Sequence, residues 1–169
     1  MDGSDGMTLI AIDGPAGAGK TTLAAQFFDE YSTSKTVALI HMDDLYNGWV
    51  NALDDRLTSR LTGIVEAFAT HSRFSIPTFN WATMEFDLSQ TIEPSDILII
   101  EGVGAAQKIV RDAGATVYWL DIEPDVGLAR VLERDGYEIE SQMHQWQLDQ
   151  DAHFLRDETR ANANHILTS

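Results

Sequence analysis

The stretch Gly14-Pro15-Ala16-Gly17-Ala18-Gly19-Lys20-Thr21 limits the possible folds of this chain more than any other. It follows an apolar run at residues 8–12 (TLIAI) and opens an amphipathic segment over Lys20–Tyr31. The expected local structure is therefore a buried strand, a glycine-rich turn and a helix. The spacing G-x-x-x-x-G-K-[ST] suits one physical task, which is to turn backbone N–H groups inward around an anion. Glycines permit that close approach because no side chain intrudes. The helix start adds unpaired N–H groups and the positive end of its dipole. In such a loop Gly14, Ala16, Gly17, Ala18, Gly19, Lys20, Thr21 and Thr22 form the phosphate cradle. Lys20 neutralises the β- and γ-phosphates, and the Thr21 hydroxyl is placed to ligand Mg²⁺.

Further apolar runs at Val37–His41, 97–100 (ILII) and 116–120 (TVYWL) look like parallel strands buried on both faces, and His165–Thr168 offers a fifth. Between them, residues 53–69, 124–134 and 140–160 show helical spacing. In the first of these, Leu53, Leu57, Leu61, Ile64, Val65 and Phe68 form one stripe. The β–α alternation predicts an α/β fold, an open parallel sheet of about five strands sandwiched by helices, and the phosphate loop makes it one of the P-loop NTPase type. No repeat or linker divides the chain, so one domain over residues 1–169 is expected, with residues 1–6 a flexible tail.

Ligands in such folds bind beyond the carboxyl ends of the strands. Glu101 ends the third run there and is placed to hold Mg²⁺, directly or through water. His41-Met42-Asp43-Asp44 follows the second run. Asp43 or Asp44 could orient an acceptor hydroxyl and take its proton, or support the metal.

Charge narrows the partners. Eleven Lys and Arg against 27 Asp and Glu give a net charge of −16. That argues against broad binding to nucleic acid or anionic membranes, while a locally concentrated positive field still admits a triphosphate. The chain has no cysteine, which excludes disulfides, thiolate metal sites and cysteine nucleophiles. No apolar run reaches the roughly 20 residues of a bilayer span, and a cytoplasmic location is expected. The five histidines show no metal-ligand spacing.

On these motifs the sequence resembles the uridine/cytidine kinase branch of P-loop kinases. Asp43-Asp44-Leu45-Tyr46 is similar to the family's Asp-Ser-Phe-Tyr, which implies that Asp43 is the acceptor-hydroxyl base and Tyr46 a substrate contact. Residues 76–83 (IPTFNWAT) are similar to a family segment lining the nucleobase pocket, which implies that role for Phe79 and Trp81. Met84-Glu85-Phe86 stands where the family has His-Ser-Arg. Residues 128–135 (LARVLERD) are similar to the arginine-bearing helix entering the family's lid, which implies a short helical lid here and that Arg130 and Arg134 stabilise the transferring phosphoryl group. Arg156 and Arg160, four residues apart, are lid candidates expected to share a helix face.

The resemblance implies transfer of the γ-phosphoryl group of ATP, with Mg²⁺, to an alcohol of a small molecule such as a nucleoside or nucleotide. The alternatives are a kinase for a non-nucleoside acceptor of the pantothenate or sugar-acid type, an ATP-binding regulatory NTPase, and a binding module without an effective lid. The sequence leaves the oligomeric state open, with a homodimer one option.

Overall fold

The computed structural model describes residues 7–168, so the tail expected at residues 1–6 lies outside the described residues. Five strands form one parallel sheet: β1 (Thr8–Asp13), β2 (Val37–His41), β5 (Ile97–Glu101), β6 (Thr116–Asp121) and β7 (His165–Thr168). Their spatial order is β2-β5-β1-β6-β7, which puts β1 at the centre with the phosphate loop leaving its carboxyl end. Ala11 pairs with Ile100 on one side and with Val117 on the other.

Alternation along the central strands divides the core into two layers. Ile10, Ile12, Ile97 and Ile99 face α1 (Lys20–Tyr31), where they meet Ala24 and the partly buried Leu23 and Phe27. Leu9, Ala11, Leu98 and Ile100 face the larger layer. That layer is built from α2 (Asp55–Ala69), α3 (Lys108–Asp112), α4 (Pro124–Asp135) and α5 (Glu140–Asp157). Leu57, Leu61, Ile64 and Val65 are the buried stripe of α2, as their spacing predicts. The helix begins two residues later than expected, because Asp54 serves as its cap and accepts a hydrogen bond from the Leu57 N–H at 3.0 Å.

Three features depart from the sequence expectation. β3 (Phe74–Asn80) and β4 (Glu85–Ile92) form a separate antiparallel pair outside the main sheet. Pro77 is tolerated within β3 because a two-stranded ribbon has only edge strands. The short α3 follows β5. Finally, α5 stops at Asp157, where Glu158 adopts a left-handed conformation with φ 54°. Arg160 therefore lies in a following 3-10 turn and does not share a helix face with Arg156.

Two glycines bring the phosphate loop and α4 into backbone contact. A Cβ on Gly17 would stand 2.3 Å from the Gly127 carbonyl oxygen, and one on Gly127 would stand 2.5 Å from the Ala16 carbonyl oxygen. Neither position has room for a side chain.

Candidate functional site

At the carboxyl ends of β1, β2 and β5 lies a cavity of about 630 Å³. One end is lined by Ala16, Gly17, Gly19, Lys20, Thr21 and Thr22 from the loop and the first turn of α1. Gly19 takes φ 96°, which swings the chain from strand into helix. Gly14 and Ala18, also expected in the cradle, are buried beneath it and do not line the cavity. Their N–H groups are already used. Gly14 donates to Asp13 Oδ1 at 2.7 Å, and Ala18 to the Pro15 carbonyl at 3.2 Å.

Lys20 is only 8 % exposed, and its Nζ donates to the Pro15 carbonyl oxygen at 2.7 Å. Burial lowers its pKa below the ordinary lysine value, while Asp13, Glu101 and Asp43 work to keep it charged. Beside it, the Thr21 hydroxyl donates to Glu101 Oε2 at 2.8 Å. Glu101 is 3 % exposed, and its other oxygen lies 3.6 Å from His41 Nδ1. Burial opposes the Glu101 charge, but the nearby His41 ring, the hydrogen bond from Thr21 and the field of Lys20 outweigh it. The carboxyl is thus held below its usual pKa, while the adjacent Glu101 carboxylate raises that of His41.

The hydroxyl and carboxylate oxygens of Thr21 and Glu101 are hard donors that fit Mg²⁺. Among the described residues there is no cluster of three or more His, Asp or Glu able to cage a metal ion. Magnesium bound through one or two protein oxygens plus substrate phosphates and water requires none.

Of the two adjacent aspartates, Asp43 is on the cavity wall and Asp44 is not. Asp43 sits in a 3-10 turn, Met42–Asp44, anchored by the fully buried Met42. Its carbonyl accepts the Trp81 indole N–H at 3.0 Å. Although open to the cavity, its carboxyl is crowded by protein. Desolvation first, then the negative charge of Glu101, raise its pKa above the ordinary aspartate value against the pull of Lys20 and Arg134.

Aromatic rings line the rest of the cavity. Tyr46, Trp49, Trp81 and Trp146 all reach it, with Val103, Ile139 and Met143. Ring centroids are 4.9 Å apart for Tyr46–Trp146, 6.2 Å for Trp49–Trp146 and 5.2 Å for Trp49–Trp81, each pair meeting edge to face. Tyr46 is 2 % exposed, and its hydroxyl donates to the Val103 carbonyl. It presents its ring rather than its oxygen. Phe79 does not reach the cavity. It is 3 % exposed and packs against Trp81 at 4.9 Å and Phe86 at 5.1 Å, at the point where the β3–β4 register shifts between Thr78 and Asn80 and the strand's alternation breaks. Trp119 is core, as its strand position predicts, packed at 4.6 Å against Phe154.

The arginines separate. Arg130 and Arg134 of α4 both line the cavity. Arg130 approaches the Gly17 carbonyl at 3.4 Å, and Arg134 forks onto its neighbour Asp135 at 2.7 and 2.8 Å. Arg156 and Arg160 do not line it. Arg160 forks onto Asp121, with Nη2 2.8 Å from Oδ2, and holds that carboxyl below its usual pKa.

Two residues whose side chains hold the phosphate loop were missed in the sequence. Asp13 is fully buried at the end of β1 and accepts N–H groups from Gly14, Gly104 and Ala106 at 2.7, 3.1 and 2.9 Å. It staples the phosphate loop to the loop after β5. An acidic residue closing an apolar strand just before Gly14 was the available sign. Burial pushes its pKa up to about 6 despite those three bonds and Lys20. A carboxyl whose folded pKa lies above its unfolded value of 3.8 favours the native state most at low pH. Relative to Asp13→Asn, the unchanged chain should therefore lose about 2 kcal/mol of stability as pH rises from about 4 to 7. Denaturant titrations of both proteins across that range check this, and parallel profiles would contradict it. Gln150, the other missed residue, is 2 % exposed, and its Oε1 accepts the Ala16 N–H at 3.0 Å. Nothing in the sequence pointed to it.

A central parallel strand running into a glycine-rich loop, with Lys20, Thr21 and Glu101 gathered at its end, defines the P-loop class of nucleotide-binding proteins. A profile of the phosphoribulokinase/uridine kinase family matches residues 51–156, and the chain belongs to that family. It is 26% identical over 161 residues to a uridine kinase of Lactobacillus johnsonii, an alignment covering 82% of this chain and 74% of that one. A uridine kinase of Halobacterium salinarum is 26% identical over 155 residues, covering 81% and 68%. Among solved structures, a possible uridine kinase from Bacillus stearothermophilus superposes with a TM-score of 0.66 at 19% identity, covering 95% of this chain and 88% of that one. A gluconokinase from Sinorhizobium meliloti superposes with a TM-score of 0.57 at 15% identity, covering 96% and 81%. The chain is a P-loop small-molecule kinase, and kinases of this family imply ATP and a small-molecule substrate. Among the described residues, no helix is long and apolar enough to cross a membrane.

Proposed function

We propose that this kinase moves the γ-phosphoryl group of Mg-ATP to an alcohol of a ring-bearing small molecule, with a nucleoside or nucleotide as the leading acceptor class. The observation that carries this reading is that Asp43 faces Lys20, Thr21 and Glu101 across one cavity whose other end is aromatic. The nest formed by Gly17, Gly19, Lys20, Thr21 and Thr22 grips the triphosphate, and the Lys20 ammonium meets its terminal phosphates. Thr21 and Glu101 would hold Mg²⁺, which when bound would supply charge neutralisation to the phosphates. Asp43 accepts the hydroxyl proton of the acceptor and orients its oxygen, helped by a pKa raised toward that of a useful base. Arg130 and Arg134 offer positive charge from α4 to the transferring group, Arg134 after exchanging Asp135 for phosphate oxygens. Tyr46, Trp49, Trp81 and Trp146 clasp the acceptor's ring. The short segment between α4 and α5 acts as the lid. A cytoplasmic setting suits this reaction.

A second reading, a non-nucleoside acceptor, draws support from the Tyr46 hydroxyl and the Trp81 N–H. Both are committed to backbone carbonyls, so these two polar groups do not read a nucleobase edge. A coupled ADP-release assay over nucleosides, nucleoside monophosphates, sugar acids and pantothenate-type alcohols separates the two. We expect turnover with ring-bearing nucleosides. A response confined to non-nucleosides favours the second reading, and acceptor-independent hydrolysis alone overturns both.

A further inference from the structure

α5 lies far from the phosphate loop in sequence, yet it contributes a side chain to that loop. Gln150 reaches across 134 positions to accept the Ala16 N–H at 3.0 Å, and it is 2 % exposed where it does so. The helix that carries it is held in place by Met143 and Trp146, both buried in the larger core layer and both on the cavity wall. Met143, Trp146 and Gln150 are spaced by three and then four residues, so one helix face spans from the cavity to the loop.

The consequence follows from peptide geometry. The Pro15–Ala16 bond is trans, like every peptide bond among the described residues, so its C=O and N–H point in opposite directions. Gln150 holds the N–H. On the opposite side, the Pro15 carbonyl accepts Lys20 Nζ at 2.7 Å and the Ala18 N–H at 3.2 Å. One peptide plane is thus clamped from both faces, by α5 behind and by the phosphate-binding lysine in front. The next carbonyl, that of Ala16, is blocked by α4, because Gly127 leaves it no room for even a Cβ. Without Gln150 the Pro15–Ala16 plane has no side-chain partner on its N–H edge, and the carbonyl that positions Lys20 can rotate.

We propose that Gln150 is a positioning residue for phosphate binding: by holding the Ala16 N–H it fixes the Pro15–Ala16 peptide, and through the Pro15 carbonyl it sets where the Lys20 ammonium stands. The inference rests on the phosphate-site reading above, and it extends the nucleotide site to a helix outside the loop motif.

The test compares the unchanged protein with Gln150→Met, which keeps length and bulk but loses the acceptor oxygen, and Gln150→Glu, which keeps an acceptor oxygen. Calorimetry with Mg²⁺ and a non-hydrolysable ATP analogue should show Kd raised about tenfold in Gln150→Met, the effect of one well-placed hydrogen bond. Gln150→Glu should recover binding to within about threefold of the unchanged chain. A merely structural glutamine would lower Tm in both variants and leave Kd unmoved. Amide hydrogen exchange in the unchanged, nucleotide-free chain gives a measurement that requires no variant to fold. The Ala16 N–H should exchange at least tenfold more slowly than that of Gly19, which heads the loop's exposed edge. Equal Kd in Gln150→Met, or an unprotected Ala16 amide, overturns the role of Gln150 alone. Absence of nucleotide binding by the unchanged protein overturns this inference and the phosphate-site reading together.

Discussion

Replacing Asp43 with asparagine is expected to lower phosphoryl transfer by about 10²- to 10⁴-fold while Mg-ATP binding stays within about twofold. The change is nearly isosteric, so the 3-10 turn Met42–Asp44 and the Trp81 bond to the Asp43 carbonyl persist. What is lost is a carboxylate that can take a proton. Burial and the neighbouring charge of Glu101 raise the Asp43 pKa, so the acid limb of the rate profile should fall above the ordinary aspartate range. The rate should climb with pH through that limb, because the ionised form is the base, and the limb should vanish in Asp43→Asn. Asp44→Asn is the internal control. Asp44 lies off the cavity wall and within the field of His41, so its loss should change kcat by no more than about threefold. Coupled assays across pH, with calorimetry for nucleotide binding, check all three expectations. Full turnover in Asp43→Asn would remove it from the role of base.

The contrast between these neighbours shows where the sequence stopped being informative. The turn after β2 was visible in the sequence, but either aspartate could have faced the ligand, and only the fold of the turn brings Asp43 to the wall. The phosphate loop was legible because its chemistry is contiguous, with strand, glycines, lysine and threonine within one short span. The parallel strands were legible because strands buried on both faces read as unbroken apolar runs, as with Ile97–Glu101. The pair β3–β4 was not, because β4 is mostly exposed and Pro77 interrupts β3. The end of α5 was hidden because Glu158 adopts its left-handed conformation without a glycine or proline to announce it. This is why Arg160 turns to Asp121 instead of continuing the helix. The aromatic wall draws Tyr46 and Trp49 from the loop before α2, Trp81 from the β3–β4 turn and Trp146 from α5, and Asp13 and Gln150 act through tertiary hydrogen bonds. No local pattern encodes such partners.

Lys20→Met should abolish transfer to below about 10⁻³ of the starting rate and weaken binding of a Mg-ATP analogue by at least about 100-fold, with little change in Tm. The separation of function from stability is the informative part. In the proposed function Lys20 supplies the buried positive charge that meets the phosphates, and among the described residues no other lysine lines the cavity. Arg130 and Arg134 approach from α4 and are engaged elsewhere, with Gly17 and Asp135. They do not substitute for a charge seated inside the nest. Most of the loop's shape is held by other groups. Asp13 holds Gly14, Gly104 and Ala106, Gln150 holds Ala16, and Gly17 and Gly127 lie in backbone contact. Removing Lys20 also relieves the cost of burying an ammonium, the same effect that lowers its pKa, and this offsets the lost attraction to Asp13 and Glu101. Thermal unfolding without nucleotide should therefore give nearly superimposable curves. With the nucleotide analogue and Mg²⁺ present, only the unchanged chain should shift upward. An equal shift in Lys20→Met would mean that the triphosphate is held elsewhere, and the assignment of the cavity would fail with it.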